Sequence, residues 1–154
     1  MSDSFGSPAW AAAARLARHC GLGTTGAEVD ELLRVGAGPW IATRIAALQA
    51  PPAAGELDPP TLALVGRSGA SASRAQLSEE LLAWYLRRLV TTREPLREKV
   101  VWGWHEHFAT SLRGVREPAM MLAQQQTIRR LAVGPFPELA GAMLIDPAML
   151  VWLN

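Results

Sequence analysis

The segment Pro95–Leu112, PLREKVVWGWHEHFATSL, constrains the fold of this chain more than any other. It carries two of the three histidines and two of the six tryptophans. Thr92 can cap a helix here, and Pro95 sits in the first turn, where a missing N–H is tolerated. Glu94 and Glu98 lie near the positive end of the helix dipole, Arg113 and Arg116 near the other, and Gly114 supplies a stop. At 100° per residue, Leu96, Val100, Trp104, His107 and Ser111 share one side, with Val101, Phe108 and Leu112 next to it. So wide an apolar arc predicts a helix buried on most sides. Gly103 costs about 1 kcal/mol relative to alanine in mid-helix, which predicts close approach of another helix.

The histidines narrow the chemistry. His105 and His107 are two residues apart and project about 200° from each other, so a regular helix cannot aim both at one metal ion. Zinc-binding helices place their histidines four apart. Glu98 and His105 are seven apart, within about 20° of one face, two turns from each other. The ordinary reading makes both histidines core residues satisfied by hydrogen bonds. The sharper one gives His105, His107 and Glu98 a catalytic or ligand role. No metal site and no cofactor is predicted.

The rest of the chain reads as helices punctuated by glycine and proline. Ser7 and Pro8 open a helix through Cys20, ended by Gly21 and Gly23. Thr25 to Glu28 forms a capping box for a helix reaching Gly36. Gly38-Pro39 opens a third, with Trp40, Ile41, Ile45 and Leu48 as its core face. Four prolines between Ala50 and Pro60 predict a loop, Thr61–Val65 can form a helical turn, and 66–73 is a second loop. Gln76–Val90 is a strong helix. Pro118 starts another, with Gln124, Gln125 and Gln126 as merely helix-compatible polar residues. Phe136-Pro137 and Asp146-Pro147 begin the last two. No sustained two-residue alternation occurs, so the fold class is all-α, an irregular array of about seven helices over 1–154, with no sheet.

Length fits one domain, and a composition 49% hydrophobic and 19% charged can form a sizeable core. The net charge of +1 argues against nucleic acid or an anionic membrane as partner. The basic residues Arg87–Arg88, Arg93, Arg97–Lys99 and Arg129–Arg130 read as solvated helix faces. One cysteine, Cys20, excludes an internal disulfide framework and suits buried packing. With no signal peptide visible and no apolar run of membrane length, a cytoplasmic protein is expected.

Leu96-Arg97-Glu98-Lys99 running into Trp102, Trp104-His105 and His107-Phe108 resembles the "LREKM…FWHNHF" segment of the domain of unknown function 1800 family. Ala14-Arg15-Leu16 to Gly23 and Glu28 resembles that family's opening motif. Gly38-Pro39-Trp40-Ile41, Ile128-Arg129 to Gly134-Pro135-Phe136, and Asp146-Pro147-Ala148-Met149-Leu150 resemble later ones in order. Glu106 stands where asparagine is usual and Gly103 where an aromatic is common. The family continues past the position of Asn154 into an acidic segment. The resemblance therefore implies the N-terminal part of a larger helical protein, a fragment of bacterial type. It also implies a protein partner of a sulfatase-like family, and it brings no established catalytic residues.

Three functions follow, in order: a helical binding or scaffolding module acting with a partner and able to self-associate; a hydrolase-like enzyme using Glu98, His105 and His107; and a metal-binding helical protein.

Overall fold

A computed structural model describes residues 5–51, 57–65 and 71–154. Among them are nine helices and no strand: α1 Pro8–His19, α2 Gly26–Val35, α3 Ala37–Gln49, α4 Ser71–Thr91, α5 Pro95–Phe108, α6 Leu112–Val115, α7 Pro118–Leu131, α8 Phe136–Leu144 and α9 Pro147–Leu153. The all-α expectation holds. Of the two expected loops, 52–56 and 66–70 lie outside the described residues, and α4 already begins at Ser71. Thr61–Val65 forms no helical turn. The chain divides into two compact units, one of Met1–Ala54 with Arg93–Lys99, the other of Gly55–Thr92 with Val100–Asn154.

In the first unit, the Ser7 side chain accepts the Trp10 N–H at 3.1 Å and starts α1, with Pro8 in the first turn. The helix stops at His19, one turn short of Gly23. Thr25 accepts the Glu28 N–H at 3.2 Å, which is half of a capping box. The reciprocal half is missing, because the Glu28 carboxylate instead takes the Thr24 hydroxyl at 3.0 Å and Arg44 at 2.6 Å. Gly36, at φ +85°, ends α2 in a conformation that disfavours other residues. The core joins Ala13, Ala14 and Ala17 of α1 to Val29, Leu32 and Trp40. Small residues on α1 let α2 lie close. Ile45 stays 46% exposed, so the expected core face of α3 narrows to its first turn.

In the second unit, α7 is central and packs against α4, α6, α8 and α9. Leu81, Trp84, Val115, Met121, Leu122 and Ala148 form one core cluster. Val101, Ile128, Ala132, Leu139 and Met143 form another. The central helix was expected to run on to Gly114, but α5 ends at Phe108 and Ala109 takes a left-handed φ of +56°. That conformation costs about 1–2 kcal/mol for a residue with a Cβ. The break turns Thr110 into the interior and frees Ser111, expected on the apolar side of α5, to cap α6 through the Gly114 N–H.

Gly103 is exposed, and a methyl group there would meet nothing within 4 Å, so the expected close helix contact at this glycine does not occur. Close approach falls at Gly114 instead, where a Cβ would overlap the Trp152 ring. No single helix among the described residues is long and apolar enough to cross a membrane. Taken together α8 and α9 would be, but they bend by 63° at their junction.

Candidate functional site

Helix α5 contributes its first turn to one unit and the remainder to the other. In the first unit, Arg97 is buried, and its Nη2 donates to the carbonyls of Ala47 at 3.1 Å, Leu48 at 2.8 Å and Ala50 at 2.6 Å. Its Nε donates to Glu94 at 3.0 Å. The last carbonyls of a helix have no partner within it, and Arg97 supplies one for the end of α3. Lys99 does the same for α1, donating from Nζ to Arg18 at 2.9 Å and Gly21 at 3.0 Å. Arg88, in the second unit, is also buried and donates to the Leu57 carbonyl at 3.1 Å. The expectation of solvated basic faces fails at these residues, because each guanidinium or ammonium donates to backbone carbonyls.

Glu98 is fully buried in the first unit. His105 belongs to the second unit, is half-buried, and has an Nδ1 shielded from solvent with no hydrogen-bond partner among the described residues. Burial pushes its pKa below the ordinary 6.5, opposed in part by the neighbouring Glu106 carboxylate. Burial therefore favours the neutral imidazole over the imidazolium. His107 is exposed and lies edge-on to Trp104, with ring centres 5.7 Å apart, and to Phe108 at 5.2 Å. Trp104 stacks on Phe136 at 5.5 Å and donates its indole N–H to the Ala132 carbonyl at 2.9 Å.

The picture of two satisfied core histidines is thus corrected. α5 turns Trp104 and Phe108 toward α7 and α8, which leaves His107 at the rim and His105 without a partner at Nδ1. Among the described residues no three His, Cys, Asp or Glu side chains gather where they could hold a metal ion.

Two polar features went unread in the sequence. Thr110 donates its hydroxyl to Gln124 Oε1, Gln124 Nε2 donates to Asp146 Oδ1 at 2.7 Å, and the Met149 N–H donates to the same oxygen at 2.9 Å. All three side chains are buried. Gln124 links the break after α5 to the cap of α9, so it is far from a merely helix-compatible residue; Gln125 is buried too, and only Gln126 is exposed. The cap at Asp146 was legible, but its buried partners lie 22 and 36 positions away in sequence. The second feature is a cleft of about 140 Å³ in the first unit, bounded by α3, Cys20 and the residues leading into α5.

These observations define an all-α protein, built on capped helices and a buried amide–carboxylate network. The family model described as Protein of unknown function (DUF1800) matches residues 15–154, and the chain belongs to that family. No curated protein and no solved structure matches it.

Proposed function

We propose that this chain is a helical binding module that docks a protein partner through the apolar end formed by α8 and α9. One observation carries the reading: Leu144, Ile145 and Leu153 are 76%, 77% and 74% exposed, and Leu150 and Val151 of α9 are also exposed. Exposed apolar side chains this close in sequence favour association with a partner. The sulfatase-like protein that the family resemblance suggests is the first partner to test, within a cytoplasmic, bacterial setting.

The experiment is co-expression and co-purification of the two proteins, with Leu144→Ser, Ile145→Ser and Leu153→Ser combined in one variant. The wild-type chain should retain the partner and the triple variant should lose it while keeping its helical spectrum. Equal retention by both would overturn the reading. Sedimentation of the chain alone over a range of concentrations separates partner docking from self-association, which the same surface can also support.

A second reading, a hydrolase-like enzyme, draws on His105, whose neutral imidazole and unpartnered Nδ1 suit a general base. It ranks below the first because His107 is exposed.

A further inference from the structure

We propose that the cleft of the first unit is a binding site for a small organic monoanion, a carboxylate carried on a short apolar body. The volume of about 140 Å³ sets the size. A protein cavity of about 150 Å³ holds a benzene molecule, so the occupant has the bulk of a single ring or a short branched chain. Ala47, Leu48, Pro95 and Leu96 furnish the apolar walls.

The charge follows from pairing within the lining. Three arginines line the cleft, Arg44, Arg93 and Arg97. Arg97 is taken up by Glu94 and by the end of α3. Arg44 is paired with Glu28 at 2.6 Å and lies over the Trp40 ring, 3.5 Å from its centre. Arg93 is exposed and has no hydrogen bond or ion pair among the described residues.

Among the described residues the lining therefore carries one uncompensated positive charge, on a planar fork of donors that matches a carboxylate in two parallel bonds. A dianion such as phosphate fits less well. It would bring two negative charges to a single free guanidinium, beside the Glu94 carboxylate, and would leave the apolar walls without a partner.

Cys20 lines the same cleft and is the one cysteine of the chain, so it reports occupancy without labelling elsewhere. The test uses the whole chain with benzoate, benzamide and inorganic phosphate as probes. It reads the amide shifts of Ala47, Leu48 and Arg93–Lys99 in nuclear magnetic resonance, together with the rate of Cys20 alkylation by iodoacetamide. Benzoate should give saturable shifts with half-saturation in the millimolar range or below, and should slow alkylation. Benzamide, equal in shape and uncharged, should bind at least tenfold more weakly, and phosphate should leave these amides unmoved.

Arg93→Gln should weaken benzoate at least tenfold and Arg93→Lys by less. Arg93 is exposed, so neither change endangers the fold, and an unchanged spectrum away from the cleft verifies this. The proposal is overturned if benzoate shifts none of these amides, if benzamide matches it, if phosphate binds and benzoate does not, or if Arg93→Gln binds as tightly as wild type.

Discussion

In the first unit, Arg97 and Lys99 reach back 47 to 50 and 78 to 81 positions to close the ends of α3 and α1, over a core of alanines, Val29, Leu32 and Trp40. In the second, an alcohol, an amide and a carboxylate, Thr110, Gln124 and Asp146, form a buried network among larger aliphatic side chains, and Arg88, Glu117 and Gln125 are buried as well. The surfaces differ as well. Leu82, Leu86 and Val90 on α4 and the outer faces of α8 and α9 leave the second unit rich in exposed apolar groups, whereas Phe5, Leu22 and Ile45 are the large exposed ones in the first. One unit is thus tied by cations to remote helix ends. The other is pinned at its centre by the Thr110–Gln124–Asp146 network, and it leaves more large apolar side chains exposed.

The largest expected effect breaks the first arrangement. Arg97→Leu removes the donor for three carbonyls and leaves Glu94, on a side chain only 12% exposed, without its guanidinium partner. Breaking one half of a buried ion pair costs about 3–5 kcal/mol. Denaturant unfolding should show that loss, and hydrogen exchange should show the end of α3 opening first. Arg97→Lys should recover only part of it, because an ammonium cannot reproduce the planar fork that serves Glu94 and the carbonyls together. A stability within about 0.5 kcal/mol of wild type, the range of ordinary surface substitutions, would show that the cap is incidental.

A smaller loss is expected in the second unit. Gln124→Leu keeps the bulk but leaves the Thr110 hydroxyl and one bond of Asp146 unsatisfied, at about 1–3 kcal/mol. Because Asp146 still accepts from the Met149 N–H, α9 should survive. Exchange should quicken in α7 and α9 and leave α1 to α3 unchanged. Equal acceleration in both units would erase the contrast between them.

What could be read from the sequence divides along the same lines. Caps lie within three residues of what they bind, so Ser7, Thr25 and Asp146 announced α1, α2 and α9. Helical periodicity gave the all-α class. Neither rule sees the end of α5, because Ala109 enters the left-handed region without being glycine, and what favours the break is Thr110 finding Gln124, 14 residues on. Arg97 looked like a surface charge because the carbonyls it binds belong to another helix. Glu98 and His105 were legible as residues on one helical face, but the boundary between the units falls just after Lys99, which no local pattern marks. The cleft was invisible for a similar reason: its lining comes from Cys20, from 43–48 and from 93–97.

The smallest expected effect concerns pH and tests whether His105 is a structural group or a poised base. Its pKa in the folded protein lies below 6.5, chiefly because burial penalises the imidazolium. In the unfolded chain the imidazole is fully hydrated, so it binds a proton more readily there. Lowering the pH therefore favours unfolding. The contribution of neutral His105 is fully present above about pH 6.5 and is lost as the pH falls from there through the lower folded value.

His105→Gln removes this titration. Its unfolding midpoint should change less than that of wild type between about pH 7.5 and pH 5.5, a window above the range where most carboxylates take up protons. If the two proteins lose stability in parallel across that window, the imidazole is not buried enough to matter. If the variant folds normally with a flattened pH profile yet no longer supports the biological role of the protein, His105 does more than pack, and the enzyme reading gains on the binding one.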